Sequence, residues 1–253
     1  MSTLQEILDT DLIAFWDAGD LSAGSVSSWT DQENSLALAQ ATAGDQPECV
    51  ADFNSSGFNA VEFDGTEYLS INSATLNLAA GFVVIVAVAD RAATNPTTIC
   101  SWDTGSSYIR IRDDGGIAYR FQDSGGLGIL TALNSSNSDD VVSFRYQSGR
   151  IRISNLDSAG NLENTVTATD TGTPFSSNEF FVGTRDAGLS SQRFDGALYG
   201  LLIAKATTPQ WRITAAATKL RDLYDVDDYD PEPSLPSGGG SGKKALMAGS
   251  CIG

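Results

Sequence analysis

Histidine is absent from this 253-residue sequence, and cysteine occurs only three times, at Cys49, Cys100 and Cys251. Without histidine, no nucleophilic scheme built on a Ser–His or Cys–His pair is available, and the commonest nitrogen ligand for zinc is missing. The cysteines form no CxxC pair and no disulfide framework. Cys49 and Cys100 either bond to each other or stand as buried thiols, and thiols are the expectation. Phosphate-binding and dinucleotide-binding fingerprints are also missing, since Gly115-Gly116 and Gly125-Gly126 read as hairpin glycines.

Positive charge is scarce. Fifteen basic residues face 32 acidic ones, for a formal net charge of -17, which repels phosphate backbones and anionic lipid and disfavours a nucleic-acid partner. Long apolar runs are lacking too. The longest, Phe82 to Ala89, is too short to cross a bilayer as a helix, so membrane insertion is not expected. The stretch from Met1 to Trp16 holds acids but no Lys or Arg, unlike the basic start of a secretory signal.

With 41% hydrophobic and 19% charged residues, the chain can bury a core, and its length suits one large all-β domain. Phe82 to Ala89, apolar at both parities, predicts a central strand covered on both faces. From there onward short strand-like runs alternate with turn clusters, as in an antiparallel meander. Tyr108–Arg112 and Ile117–Phe121, joined by Asp113-Asp-Gly-Gly116, read as one hairpin. Val141–Gln147 and Arg150–Ser154 read as a second. Further strands are expected at 164–169, 179–184 and 194–205. Pro209 then suits the first turn of a helix along which Trp211, Ile213, Ala217, Leu220 and Tyr224 recur. Residues 225–232 hold five acids, and 233–242 are rich in Pro, Ser and Gly. The organisation expected is therefore a domain over 1–226, a solvated linker over 227–242 and a basic-apolar peptide over 243–253.

Several N-terminal segments carry a family resemblance: Leu12-Ile-Ala-Phe-Trp-Asp-Ala18, Val26-Ser-Ser-Trp-Thr-Asp31, Ala39-Gln-Ala-Thr-Ala43 with Gln46-Pro47, and Ala60-Val-Glu-Phe-Asp-Gly-Thr-Glu-Tyr-Leu69. Phe194-Asp-Gly196, leading into a long apolar strand and then a helix ending Leu220-Arg-Asp-Leu-Tyr224, resembles the close of the same domains. Together they are similar to the concanavalin A-like, laminin G-like domains of bacteriophage structural proteins and some bacterial surface proteins. The resemblance implies a concanavalin A-like antiparallel β-sandwich, a jelly roll of two packed sheets, with a C-terminal helix and a flexible tail. It further implies a role in a virion or at a cell surface. With no catalytic set in the sequence, the leading expectation is a non-enzymatic virion structural protein, a capsid decoration or a tail or fibre appendage, meeting other virion proteins and copies of itself. The alternative it leaves is a lectin-like glycan-binding module on a phage fibre or bacterial surface.

The fold hosts lectins, hydrolases and structural modules alike, so chemistry must be sought in particular residues. Glu62, Asp64 and Glu67 match the E-x-D-x-x-E pattern of some glycosidases of this fold, but Asp64-Gly65 signals a tight turn that carries Glu67 off the strand face. No catalytic residue is therefore assigned. The acids near glycines at Asp103, Asp113-Asp114 and Asp123 are the right ligand type for Ca²⁺ but lack the spacing of a calcium loop, so solvated turns are expected and no cofactor is assigned.

Arg110, Arg112, Arg120, Arg145, Arg150 and Arg152 are six of the eleven arginines. All alternate with apolar residues in the two hairpins. If the hairpins share a sheet, their guanidiniums share one outward face, which suits an acidic neighbour or an anionic glycan. Lys243, Lys244, Leu246, Met247 and Ile252 in the terminal peptide are the candidate anchor to a larger assembly. For a glycan, Trp102 and Tyr108, flanking Asp103, are the candidate stacking and hydrogen-bonding residues.

Overall fold

The computed structural model describes residues 3–72, 76, 78–91, 97–102, 107–113, 117–122, 130–135, 140–147, 150–156, 162–169, 179–184 and 193–226. Two antiparallel sheets form a sandwich, and a C-terminal helix lies on the outside of one of them. The first sheet holds β1 (Leu12–Asp17), β2 (Gly24–Ser25), β5 (Glu48–Val50), β6 (Ala60–Asp64), β8 (Phe82–Arg91), β13 (Asp140–Gln147), β14 (Arg150–Leu156), β15 (Leu162–Thr169) and β17 (Asp195–Lys205). Its order is β15-β14-β13-β8-β17-β6-β5-β2, with β1 also paired to β17. The second sheet holds β3 (Ser28–Thr30), β4 (Ala37–Ala39), β7 (Leu69–Asn72), β9 (Thr97–Trp102), β10 (Ser107–Asp113), β11 (Ile117–Gln122), β12 (Leu130–Ser135) and β16 (Glu179–Val182). Here the order is β12-β11-β10-β9-β16-β7-β4-β3.

The first sheet is a middle layer, and its sequence shows why. Along β8, Val84, Val86 and Val88 join the core between the sheets, while Val83, Ile85, Ala87 and Ala89 join a second core on the opposite face. A strand wet on one side would alternate with polar residues; this one cannot. The second core is closed by two helices, α1 (Leu4–Leu8) and α2 (Gln210–Tyr224). The first begins with a capping box in which Thr3 and Glu6 satisfy each other's backbone N–H. The second buries Ile213, Ala216, Ala217, Leu220 and Tyr224. Trp211, expected on that stripe, is instead 66% exposed. Ile213, Ala217, Leu220 and Tyr224 keep helical spacing among themselves, whereas Trp211 lies two positions before Ile213, on the far side of the helix.

Both expected hairpins form, but in different sheets. β10 pairs with β11 in the second sheet, and β13 pairs with β14 in the first. The chain after β8 is therefore no single meander: it crosses to the second sheet for β9 to β12, returns for β13 to β15, crosses again for β16 and ends on β17. Cys49 on β5 and Cys100 on β9 likewise fall in different sheets, and both are free, buried thiols. Burial pushes both thiols up from their ordinary range. The proposed linker and terminal peptide, with Lys243, Lys244, Leu246, Met247 and Ile252, lie outside the described residues.

Candidate functional site

An open cavity of about 250 Å³ sits where the end of β1, the loop before β6 and the end of α2 converge. Asp17, Gly19, Phe58, Asn59, Leu223 and Tyr224 line it, together with Gly57. Each arrives for a local reason. Asp17 ends β1 and caps the short turn that follows, its Oδ1 accepting from the Gly19 N–H at 2.7 Å. Phe58 and Asn59 leave a tight loop closed by Phe53 N–H donating to the Phe58 carbonyl at 2.8 Å and Gly57 N–H donating to Asp52 Oδ1 at 2.7 Å. Gly57, at φ 84, takes the left-handed conformation that this loop requires. Tyr224 is the last residue of α2 and is buried on its apolar stripe.

The cavity combines apolar walls with fixed polar groups. The Phe58 ring meets Tyr224 edge to face at 6.0 Å and Tyr199 at 6.2 Å. Asn59 is oriented by its Nδ2 donating to the Leu21 carbonyl at 3.0 Å. Asp17 Oδ1 also accepts from the Tyr224 hydroxyl at 3.0 Å, and Gln32 Nε2 donates to Asp17 Oδ2 and Asp20 Oδ2 at 3.3 and 2.9 Å. Burial raises the Asp17 carboxyl above its usual value; the bonds from Gly19, Tyr224 and Gln32 oppose the rise, and the charge of Asp20 adds to it. Burial likewise raises the Tyr224 phenol, helped by the Asp17 charge. An aromatic wall beside an acceptor carboxylate and an oriented amide is the inventory that a polar, ring-shaped ligand needs. None of these residues stood out as a candidate in the sequence.

The residues that did stand out are distributed differently. Trp102 is 1% exposed and packs in the core between the sheets, with its ring edge to face with Phe82 at 4.8 Å. Tyr108 is 3% exposed. This corrects their assignment as glycan contacts: buried rings offer no face to a sugar. Asp103 lies outside the described residues.

The arginine face is corrected as well. Arg110, Arg112 and Arg120 belong to the second sheet, with Arg110 opposite Arg120 in register. Arg145, Arg150 and Arg152 belong to the first, with Arg145 opposite Arg152. The six therefore share no face, because the two hairpins lie in opposite layers. Arg145 is moreover covered by the chain entering α2, its Nε donating to the Ala206 carbonyl at 3.0 Å and its Nη2 to the Thr208 carbonyl at 2.7 Å.

In the E-x-D-x-x-E segment the turn forms as expected. Gly65 has φ 84, Asp64 Oδ1 accepts from Thr66 N–H at 2.8 Å, and Glu67 Oε2 accepts from Asp64 N–H at 2.9 Å. Burial, with the charges of Asp64, Glu62 and Glu48, pushes the Glu67 carboxyl up. Glu62 is exposed on β6 opposite Glu48. Among the described residues no cluster of three or more His, Cys, Asp or Glu side chains stands ready to hold a metal ion, and no helix is long and apolar enough to cross a membrane. The acids considered for Ca²⁺, at Asp103, Asp113, Asp114 and Asp123, have side chains outside the described set.

No protein-family model matches the chain, and no curated protein matches it significantly in sequence. The fold does have likenesses among solved structures. Domain 4 of AbnA, a GH43 extracellular arabinanase from Geobacillus stearothermophilus, in complex with arabinotriose, superposes with a TM-score of 0.57 at 14% identity, covering 82% of this chain and 98% of that one. The Trypanosoma rangeli sialidase in complex with sialic acid matches with a TM-score of 0.53 at 8% identity over 87% of this chain, which spans only 34% of the sialidase. The CBM40 of the Ruminococcus gnavus IT-sialidase, bound to alpha2,3 sialyllactose, gives a TM-score of 0.47 at 12% identity, covering 62% of this chain and 95% of that one. This chain has the β-sandwich fold found in domains of carbohydrate-active proteins. The virion reading draws no support from these likenesses.

Proposed function

We propose that the chain is a non-catalytic, glycan-binding β-sandwich module whose cavity at Asp17, Phe58, Asn59 and Tyr224 takes a single sugar unit. The observation that carries this reading is the convergence, in one open cavity, of an aromatic wall, an acceptor carboxylate and an oriented amide. Sugars bind through just these two kinds of contact, ring face on aromatic and hydroxyl on polar group. At about 250 Å³ the cavity falls below the range of roughly 300–1,000 Å³ that holds drug-sized ligands, so it suits one ring rather than a long chain. The likeness to the arabinanase domain supports the reading at the level of fold.

The reading is non-catalytic because Glu67 is engaged within its own turn and no histidine is available as acid or base. The setting is a phage fibre or a bacterial surface, where glycans are displayed. Capsid decoration ranks behind it: of its two expected attachments, the arginine face is divided between two sheets, and the terminal peptide lies outside the described residues.

Titration calorimetry with a panel of neutral mono- and trisaccharides, arabinotriose among them, tests the proposal. At least one should bind, and Phe58→Ala should weaken it roughly tenfold without unfolding the chain. Absence of binding across the panel, or a Phe58→Ala variant that binds as well as the parent, would sink the reading. Release of new reducing ends from any of these sugars would sink its non-catalytic part.

A further inference from the structure

The cavity holds a carboxylate to which the described residues bring no counter-ion. Asp17 is half-buried, and no Lys or Arg among the described residues pairs with it. Its partners are neutral: the Gly19 N–H, the Tyr224 hydroxyl and the Gln32 amide. Gln32 Nε2 is shared between Asp17 and Asp20, so the charge acting on Asp17 is that of a second carboxylate. Carboxylates withdrawn from water are normally matched by a cation or by a full set of donors. Asp17 Oδ1 has two donors, at 2.7 and 3.0 Å, whereas Oδ2 has among the described residues only the long contact to Gln32, at 3.3 Å. Oδ2 therefore has room for a further donor.

The rest of the cavity carries the same sign. Among the described residues that line it there is no base. The C-terminal end of α2, a 15-residue helix, forms one wall through Leu223 and Tyr224, and its last carbonyls bear the partial negative charge of the helix dipole. Asp52 accepts from the lining Gly57 N–H at 2.7 Å, and Asp222 and Asp225 flank Leu223 and Tyr224. The bases nearest in sequence, Lys219 and Arg221, lie outside the lining, and Arg221 is matched by Asp222 at 3.0 Å. The rings of Phe58 and Tyr224, whose faces attract a cation, complete the wall.

We propose that the sugar taken by this cavity is a hexosamine with a free amine, its ammonium received by Asp17 Oδ2 and the C-terminal end of α2 and its ring lying on Phe58. The inference rests on the glycan-binding reading and narrows it from sugars in general to those that carry positive charge. An ammonium donates three hydrogen bonds where a hydroxyl donates one, and it meets a carboxylate as a charge-assisted pair. Uronic and sialic acids are the opposite case, since their carboxylates would face Asp17 with no base in the lining to receive them. An N-acetylated hexosamine keeps the ring but loses the charge.

Calorimetric titration of the full chain with glucosamine, N-acetylglucosamine and glucose, and with the matching galactose set, tests the proposal at about pH 6, where an amine of this kind is protonated. In at least one set the amine should bind roughly tenfold tighter than its hydroxyl parent and its acetamide, and the gap should narrow as salt rises. Asp17→Asn should abolish that ratio. Asp20→Asn, at an exposed position outside the lining, should lower it roughly twofold, and it reads the same charge if Asp17→Asn folds poorly. Neutral sugars that bind as well as both amines overturn the proposal and leave the glycan reading standing. No binding by any sugar, the neutral panel included, overturns both. A ratio unmoved by Asp17→Asn, or by Asp20→Asn where that is the variant that folds, places the ammonium elsewhere and overturns the proposal. Methylammonium that competes as well as the amino sugar overturns it too, by removing the need for a ring.

Discussion

The Tyr224 hydroxyl donates to Asp17 Oδ1 at 3.0 Å, joining the last residue of the C-terminal helix to the last residue of β1 across 207 positions of sequence. Trp29 Nε1 donates to the Asp17 carbonyl at 3.0 Å, so both the backbone and the side chain of this residue are held from distant segments. Asp17 thereby sets the floor of the cavity and the docking of α2 at once. Changes here should be read out in both stability and ligand binding.

Room for the phenol comes from a missing side chain. A Cβ on Gly200 would lie 2.7 Å from the Tyr224 hydroxyl oxygen and 3.3 Å from the Phe15 ring. Gly200→Ala should therefore displace Tyr224 from Asp17 and cost about 1–3 kcal/mol, the usual price of overpacking. Urea denaturation measures this, and a variant as stable as the parent would show that the helix end shifts freely.

Asp17 also predicts a pH dependence. Burial raises its carboxyl above the ordinary 3.8, so the folded chain holds the proton more tightly than the unfolded one. The stability it contributes is full below the ordinary value and is lost as pH rises through the folded value. Asp17→Asn keeps an oxygen to accept from Tyr224 but cannot ionise. Denaturation profiles between about pH 4 and 7 should show the parent losing more stability with rising pH than Asp17→Asn. Glu67, raised the same way, supplies a residual slope in both proteins. Parallel profiles would refute the assignment.

Arg145 and Arg150 should behave differently although both lie on the same hairpin. Arg145 holds the Ala206 and Thr208 carbonyls, and Arg145→Met leaves these acceptors without their donor at a cost of about 1–3 kcal/mol. Arg150 is exposed, and Arg150→Ser should stay within about 0.5 kcal/mol of the parent. Thermal melts of the two variants side by side distinguish a clamp from a surface charge; equal melting points would mean that the clamp carries no load.

Periodicity identified the elements but not their layers. The alternation of Arg145, Arg150 and Arg152 with Phe144, Tyr146, Ile151 and Ile153 marks which side of the hairpin faces the core between the sheets, and that side is as read. Alternation carries no label for which of two sheets a hairpin joins, since each presents an apolar face to the same core. It is equally silent on whether the other face meets water or a helix, which is why Arg145 reads as solvated and is covered. The uninterrupted apolar run of β8 is the exception, because two apolar faces state that both sides are covered. The cavity was illegible for another reason. Asp17, Asn59 and Tyr224 are ordinary residues in their local segments, and only the closing of α2 over the first sheet brings them together.

The position of β17 has a consequence for the order in which the chain can assemble. This strand is the neighbour of β8 on one side and of β1 and β6 on the other. During synthesis, β1 and β8 both emerge long before their shared partner, leaving the most apolar run in the sequence, Phe82 to Ala89, with only part of its final pairing. Pairings this distant along the chain close slowly, and the waiting intermediate carries an exposed apolar edge. Ribosome-bound chains halted before residue 195 should thus be the species that aggregates or recruits chaperones, while chains extended past α2 should resist protease.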